Sequence, residues 1–342
     1  MNHHWGHYSD AETLHGVRYR ARWTLFALWI AIAFPVAVHG QDAGQWGKRS
    51  TLPEMIAEHA VAELGGKIYV VAGINEAETV ATVRVYDAAA DSWKTISPLP
   101  QAVNHNMAAA VIGKLYVFGG QTASPTTSPF TDAAFEYDPA SDKWTARAPM
   151  PTARSAGATA VVNGKIYVAG GRPPRGNDFA VYDPAANAWT RLPDLPTQRN
   201  HLAVTAINGK VYVAGGRLGP GSASEVTDVL EIFDPATNGW SRGARMPLAR
   251  GGIDGIAANG CFHVFGGEGN APDPNGMFHG HDVYNAVSNA WTKLADMPIP
   301  IHGVTGAAFL NGLIYLPGGA KARGGGGRSD LLQVYRPAMT CR

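Results

Sequence analysis

The sequence predicts an all-β fold, a six-bladed β-propeller, and three repeated features support this prediction. Six times, about fifty residues apart, an apolar stretch ends in a small residue followed by glycine. An aromatic residue follows each of these pairs, and in the first five units a Trp stands seven residues after it. Six residues after each of those Trp residues comes Leu-Pro or Met-Pro. The six small-residue pairs end at Gly73, Gly120, Gly171, Gly216, Gly267 and Gly319.

Each repeat contains four short β signals, which the third unit shows clearly. Its apolar runs cover 157–162, 164–171, 179–182 and 188–190. Asn163-Gly164 separates the first two runs, and Asn-Gly between apolar runs indicates a tight hairpin. Four antiparallel strands in about fifty residues describe one propeller blade, whose two faces are buried by the neighbouring blades.

The two ends of the chain predict how the ring closes. The sixth unit has its aromatic residue, Tyr335, but no Trp follows it. Near the other end, Trp46 is followed six residues later by Leu52-Pro53, as in the complete units. We therefore expect the strand around Trp46 to be the outer strand of the last blade, paired with the strand around Tyr335, which removes exposed sheet edges.

The glycine pair, the Tyr and the Trp at these spacings resemble the signature of the kelch family, over about residues 46 to 336. The resemblance implies a kelch-type propeller of the superfamily that includes the central domain of galactose oxidase. It also implies ligand binding, often of peptides, on the face formed by the turns into each innermost strand and the loops after each glycine pair. The resemblance places Arg, Ser and Asn among the contacting residues.

Residues 1–40 precede the repeats and have the pattern of a secretory signal peptide with an extended basic lead-in. Arg18, Arg20 and Arg22 come before an apolar run over 24–38, and small residues follow it. The alternative is a short membrane anchor, although the run is shorter than the roughly 20 residues of a membrane span. We expect 41–342 to form the propeller and to be periplasmic or secreted, with no other membrane contact.

Removal of residues 1–40 would leave 25 basic and 25 acidic residues. A net charge near zero argues against nucleic acid as a partner. The expected partner is a protein, a peptide or an acidic carbohydrate on the loop face of a monomer.

The two cysteines, Cys261 and Cys341, fall at the same rim of neighbouring blades in the predicted topology. A disulfide between them is one expectation, and two free thiols are the alternative. Cys261 starts a strand whose counterparts in other repeats start with Lys, so we expect its site to lie near the surface.

Candidate ligand-binding residues cluster in the two loop classes of that one face. Residues scattered by solvation alone would divide between both faces. Several guanidinium groups around one funnel favour a carboxylate or another anion. The alternative is structural hydrogen bonding to neighbouring loop carbonyls. The candidates are His59, His105, Arg154, Arg172, Arg199, His201, Arg217, Arg250, Glu268 and His302.

A metal site is a narrower possibility in the long blade-five loop. His279 and His281 are separated by one residue, and His302 and Glu268 would approach them from adjacent loops. Such a set could bind zinc or copper. The spacing is a weak signal, and we expect no metal or other cofactor.

The predicted function is a binding module that uses the loop face. The alternative is a sugar-acid epimerase or mutarotase of the sialic-acid type, which would need an acid–base group beside a carboxylate clamp. Glu268, Glu58 and His302 are its candidates for proton transfer, with Arg199 or Arg250 as the clamp. A copper oxidase is disfavoured because neither cysteine is placed to cross-link a tyrosine. The fold alone does not decide between binding and catalysis.

Overall fold

The structure is a computed structural model that describes residues 44–123, 129–172 and 175–341. The described residues form strands, turns and loops without a helix, and so include no helix able to cross a membrane. The chain from Gly40 onward forms one compact unit. The predicted leader over 1–40 lies outside the described residues and stays a prediction.

Twenty-seven strands follow one another along the described chain. The first is β1 (Gln45–Arg49), which belongs to the last blade. Blade one is β2 (His59–Leu64), β3 (Lys67–Ile74), β4 (Thr79–Asp87) and β5 (Ser92–Ile96). Blade two is β6 (Met107–Val111), β7 (Lys114–Phe118), β8 (Ala134–Asp138) and β9 (Lys143–Arg147). Blade three is β10 (Ala158–Val162), β11 (Lys165–Ala169), β12 (Phe179–Asp183) and β13 (Ala188–Arg191).

The remaining strands complete the ring. Blade four is β14 (Ala203–Ile207), β15 (Lys210–Ala214), β16 (Leu230–Asp234) and β17 (Gly239–Arg242). Blade five is β18 (Asp254–Ala258), β19 (Cys261–Phe265), β20 (His281–Asn285) and β21 (Ala290–Lys293). The last strands are β22 (Val304–Thr305), β23 (Ala308–Leu310), β24 (Leu313–Pro317), β25 (Ala320–Ala322), β26 (Gly326–Arg328) and β27 (Leu332–Arg336).

The last blade confirms the predicted closure. Its sheet order is β1-β27-β24-β23, so the N-terminal strand supplies the outer edge. Trp46 lies opposite Tyr335 in antiparallel register. On the inner side, β22 pairs in parallel with β2, where Val304 lies opposite His59. The first and last blades are therefore joined at both edges.

The repeated aromatic residues hold each blade to the one before it. In blade three, Tyr182 and Trp189 lie opposite each other with ring centroids 5.0 Å apart. The Trp189 Nε1 donates to the carbonyl of Ala148, which precedes blade three, over 2.8 Å. The Tyr182 hydroxyl donates to Asn187 Oδ1 in the turn between β12 and β13. The fixed spacing in the sequence thus reflects packing, as expected.

The C-terminal tail is joined to blade five by a disulfide between Cys261 and Cys341. The Cys341 amide also donates to the carbonyl of Asn259 over 3.0 Å. Cys261 is fully buried, so the expectation that its site lies near the surface is wrong. The tail itself covers that strand end, with Met339 packed against the disulfide.

The innermost strands surround a central channel. From one face of the ring the channel opens as a cavity of about 290 Å³, lined largely by small residues such as Ala62, Ala109 and Ala160. Towards the other face it narrows at the six turns that lead into the innermost strands. These turns, called the axial turns below, carry the candidate site.

Candidate functional site

The axial turns place one equivalent residue of each repeat around the propeller axis. All six have left-handed backbone conformation, with φ between 53° and 72°. A left-handed conformation is uncommon for residues other than glycine and is held here by surrounding structure. The six residues of this axial ring are Glu58, His105, Ala156, His201, Gly252 and Gly303.

Backbone hydrogen bonds link the axial ring from blade to blade. The His105 amide donates to the carbonyl of Glu58 over 2.7 Å, and the Ala156 amide donates to the carbonyl of His105 over 2.8 Å. The series continues through His201 and Gly252, and the Glu58 amide donates to the carbonyl of Gly303. This ring fixes the turns, and it brings side chains from distant parts of the sequence together on the axis.

Three axial-ring residues carry polar side chains, and these converge. His105 Nε2 lies 2.9 Å from Glu58 Oε2. The His105 and His201 rings meet edge to face with centroids 5.1 Å apart. One potential ligand atom from each of the three residues lies within 4.8 Å of the others. Gly303 leaves room for this group, since a Cβ there would be 2.8 Å from the Glu58 carboxyl carbon.

Residues that follow the glycine pairs, together with His302, form a second layer around this group. Arg172 Nη2 lies 2.9 Å from His105 Nε2, and Arg217 Nη1 lies 3.2 Å from His201 Nε2. Arg217 also forms an ion pair with Glu268. His302 Nε2 is 3.4 Å from Glu268 Oε2, which accepts a hydrogen bond from the Gly324 amide.

Burial controls the protonation of the cluster. It lowers the pKa of His105, His201 and His302 below the usual value for histidine. Burial alone would raise the pKa of Glu58, but His105, His302 and Arg217 outweigh it and lower that pKa. Burial lowers the pKa of Arg217 to about 10. At neutral pH the cluster therefore combines neutral imidazoles, a Glu58 carboxylate and charged guanidinium groups.

A polar cavity of about 120 Å³ lies beside the cluster, among the loops of the same face. Arg172 is buried, yet its Nε and Nη1 have no hydrogen-bond acceptor within 44–123, 129–172 and 175–341. The same is true of the Nε atoms of Arg217 and Arg328. Three guanidinium groups with unpaired donors therefore line the cavity. Its charged and polar lining comprises Glu58, Asn104, His105, Gln121, Arg172, Arg217, Ser222 and Arg328.

Three of the predicted contact arginines are instead bonded within their own blades. Arg154 donates to the carbonyl of Asp178 over 2.6 Å. Arg199 pairs with Glu231 at 3.0 Å, and Arg250 pairs with Asp282. All three arginines are fully buried and line neither the cavity nor the axial cluster. The structure therefore favours the alternative, structural hydrogen bonding, for these positions, and it removes Arg199 and Arg250 as a carboxylate clamp.

The other predicted histidine candidates lie away from the axial cluster. His59 is buried and donates through Nε2 to the carbonyl of Pro317 over 3.0 Å, away from the cavity. His281 is the first residue of β20 and is buried against Phe265, with ring centroids 4.2 Å apart. His279 is exposed, and its Nδ1 faces the carbonyl of Met297 at 3.3 Å. The proposed approach of His302 and Glu268 to this pair is wrong, because those two residues face the axial cluster.

Sequence reasoning missed three contributors to the site. Asn104 and Asn200 precede the two axial histidines, and each side-chain Oδ1 faces the histidine Nδ1. The shared Asn-His pair at equivalent repeat positions was the available signal. Arg328 reaches the cavity from β26, in a hairpin that no other blade has within the described residues, so the repeats gave no signal for it.

Comparison with known proteins decides the family. A family profile described as the KLHDC2/KLHL20/DRC7 Kelch-repeats domain matches residues 42–195 and 104–319. The chain belongs to the kelch-repeat family. This confirms the resemblance carried by the glycine pairs, Tyr and Trp residues.

Relatives of the kelch-repeat propeller include proteins of several kinds. The Kelch-like protein terF of Aspergillus terreus is 33% identical over 324 residues, which cover 86% of this chain and 69% of that protein. The Kelch-like ECH-associated protein 1B of Danio rerio is 34% identical over 91 residues, 27% of this chain and 15% of that protein. The solved structure titled "Structure of YjhT" has a TM-score of 0.68 and 18% identity, and the match covers 84% of this chain and 99% of that one. This last likeness shows the fold alone.

Proposed function

We propose that this chain is a binding propeller that holds a protein or peptide partner on its loop face. Membership of the kelch-repeat family, with relatives such as the Kelch-like ECH-associated protein, supports a protein-binding module. The polar cavity supports a more specific role, in which an acidic group of the partner enters the ring of loops. One observation carries this role: Arg172 lines the cavity, is buried, and has two donors without an acceptor among the described residues.

The physical argument rests on desolvation. A buried donor without an acceptor costs about 1–3 kcal/mol, and more when the group is charged. A carboxylate in the cavity would satisfy Arg172 through charge-assisted hydrogen bonds, and a guanidinium can hold it with two parallel bonds. Arg172, Arg217 and Arg328 outnumber the carboxylates of Glu58 and Glu268, so the local charge also favours an anion.

The cavity size limits what enters. A volume of about 120 Å³ accommodates one acidic side chain, not a folded segment. The rest of a partner would lie on the surrounding loops, including the β25–β26 hairpin. Arg323 in that hairpin donates to the carbonyl of Ser222 over 2.8 Å, which joins the rim loops of blades four and six.

A sugar-acid enzyme is the second candidate, and one contact favours it. The Glu58 carboxylate lies 2.9 Å from His105 Nε2, and both groups line the cavity beside Arg172. A sugar carboxylate on Arg172 would bring its ring towards this acid–base pair. Glu268 lies behind Arg217, so Glu58 is the better candidate of the two acids.

We also propose that the chain is exported and that its leader over 1–40 is removed. The basic, apolar and small-residue order of the leader supports this proposal, as does the Cys261–Cys341 disulfide, since disulfides persist in oxidising compartments. The mass of the protein recovered from a periplasmic or culture fraction tests it. Recovery only from the cytoplasm, with the leader intact, would contradict it.

Binding is tested by selecting peptides on the chain from a displayed random library, then titrating synthetic versions by calorimetry. We expect selected peptides to share an Asp or Glu, and its replacement by Asn or Gln to weaken binding at least tenfold. Arg172→Met should weaken binding of the acidic peptide by a similar factor. Arg242→Met, at an exposed position, serves as the matched control.

Two outcomes separate the candidates. Peptide affinity unchanged by Arg172→Met would remove the acidic-group proposal. The second experiment uses a free sugar acid such as N-acetylneuraminic acid, and NMR measures how fast its two anomers interconvert. Faster interconversion with wild type than with Glu58→Gln, together with no peptide binding, would favour the sugar-acid enzyme.

A further inference from the structure

A void of about 10 Å³ lies on the propeller axis, enclosed by the axial turns. Glu58, His105 and His201 line it, and Ala156, Gly252 and Gly303 line it from the remaining axial turns. A volume of this size corresponds to a single water or ion. The void is distinct from the larger cavity, although Glu58 and His105 contribute to both.

The two histidines are held in the same tautomer by the asparagines that precede them. Asn104 Oδ1 accepts a hydrogen bond from His105 Nδ1, and Asn200 Oδ1 accepts one from His201 Nδ1. Each imidazole therefore keeps a lone pair on Nε2, the nitrogen that also meets Arg172 or Arg217. Metal-ligating histidines are typically held in this way, with the second ring nitrogen donating to an oxygen.

We propose that Glu58, His105 and His201 form a binding site for a divalent transition-metal ion of the zinc class. Two imidazoles and one carboxylate are a ligand set that zinc accepts, with a fourth position left for water or a ligand atom. The nitrogen donors disfavour Mg²⁺ and Ca²⁺, which prefer oxygen ligands. The site does not depend on the identity of the proposed partner.

The three ligand atoms need to move only a short distance to surround a zinc ion. Zinc holds imidazole nitrogen and carboxylate oxygen at about 2.0–2.2 Å, so tetrahedral ligand atoms stand about 3.3 Å apart. His105 Nε2 and Glu58 Oε2 are 2.9 Å apart, and all three ligand atoms lie within 4.8 Å of one another. Rotation of the His201 or Glu58 side chain closes the remaining gap, since both project from turns fixed by the axial hydrogen bonds.

Arg172 and Arg217 compete with the ion, because each donates to a histidine Nε2. Both arginines also line the 120 Å³ cavity, which offers space on their other side. Metal binding would thus turn the two guanidinium groups into the cavity. Their charges would then favour an anion there, so we expect the metal and an acidic ligand to strengthen each other's binding.

The test uses the full chain with His3, His4 and His7 replaced by Gln, because those three histidines could bind zinc themselves. After treatment with EDTA, zinc binding is measured by equilibrium dialysis with elemental analysis. We expect one zinc per chain. We also expect Co²⁺ to give the visible absorption of a tetrahedral site with nitrogen and oxygen ligands.

Variants locate the ion. The double variant His105→Gln/His201→Gln should lose at least a hundredfold in zinc affinity, whereas exposed His279→Gln should leave it unchanged. Asn200→Ala keeps all three ligand residues but removes the group that orients His201, and it should cost about ten- to a hundredfold. This milder variant decides the matter if the double variant fails to fold. Less than stoichiometric zinc in the parent protein, or zinc retained by a folded double variant, would overturn the proposal.

Discussion

Trp46 of β1 lies directly opposite Tyr335 of β27, with ring centroids 5.0 Å apart, in the strand pair that closes the propeller. In blade three the same two repeat positions, Tyr182 and Trp189, are filled from one blade and lie close in sequence. In the last blade they come from opposite ends of the described chain. The ring therefore keeps an open sheet edge until folding brings these two ends together.

Replacement of Trp46 should destabilise the whole propeller. Trp46→Ala removes the contact with Tyr335 and the hydrogen bond from Nε1 to the carbonyl of Ala295. Because the side chain is only partly buried, we expect a loss of about 2–4 kcal/mol, near the lower end for large-to-small substitutions. Urea unfolding measures it, with Leu248→Ala at an exposed position as the control. Equal stabilities of the two variants would contradict a closing role for β1.

Arg199 should matter for stability and not for binding. Its Nη2 lies 3.0 Å from Glu231 Oε2, and both side chains are fully buried. Arg199→Ala leaves the Glu231 charge unpaired, which costs about 3–5 kcal/mol. The double variant Arg199→Met/Glu231→Leu should recover much of that loss, as measured by thermal unfolding. Weaker ligand binding by a stable, folded Arg199 variant would instead restore its predicted contact role.

The sequence predicted the blade number and the closing strand because both follow from period and offset. The repeat of Gly-Gly, Tyr and Trp reports packing that recurs in each blade. The unmatched Trp46 and the missing Trp after Tyr335 then left one arrangement for the ring. The pairing of strands from the two ends of the chain could be inferred because the repeats show which unit lacks a strand and where the missing strand lies.

The direction of the arginines could also have been read from the repeats. The positions equivalent to Arg154, Arg199 and Arg250 are Ile56, Val103 and Ile301, all of them buried. An apolar residue at the same position in three units indicates that the side chain faces the core. The guanidinium groups follow that direction and bind carbonyls or carboxylates of their own blades.

Other parts of the site could not be predicted. The contact of Arg172 with His105 joins different blades, and its geometry depends on the backbone ring at the axis. His281 was expected in a loop, because the length of the insertion after Gly267 does not show where β20 begins. Such details depend on loop conformation, for which one sequence carries no repeated signal.

The disulfide should stabilise the fold by restricting the unfolded chain. Cys261 and Cys341 are separated by 80 residues, and a loop of that length favours a large entropic effect. We expect reduction to lower the free energy of unfolding by about 2–4 kcal/mol. Urea titrations with and without dithiothreitol measure this effect. The double variant Cys261→Ala/Cys341→Ala should not respond to the reductant, and an equal response would point to another cause.

Gly303 should be required for the position of Glu58. Its φ is +72°, and a Cβ there would lie 2.8 Å from the Glu58 carboxyl carbon. Gly164→Ala is a matched control, since φ is +76° and nothing lies within 4 Å of its Cβ position. Both variants acquire backbone strain of about 1–3 kcal/mol. Only Gly303→Ala should also weaken binding of the acidic peptide or of zinc, and equal effects of the two variants would show that Glu58 can move freely.

Stability should fall as the pH drops below the usual pKa of histidine. Burial lowers the pKa of His59 to about 4 and that of His263 to about 4, from 6.5. Between these values the unfolded chain binds protons that the folded chain does not, so unfolding becomes easier as pH decreases. Each histidine can contribute about 3 kcal/mol across this window, and its contribution is constant again below about pH 4.

His59→Gln tests this dependence at a single site. The amide can still donate to the carbonyl of Pro317, but it does not titrate. The slope of unfolding free energy against pH, between 6.5 and 4, should therefore decrease by up to about 1.4 kcal/mol per pH unit. Exposed Leu248→Ala, which removes no titratable group, should leave the slope as in wild type. An unchanged slope in His59→Gln would mean that this side chain takes up its proton without unfolding, through an opening of the interface between the first and last blades.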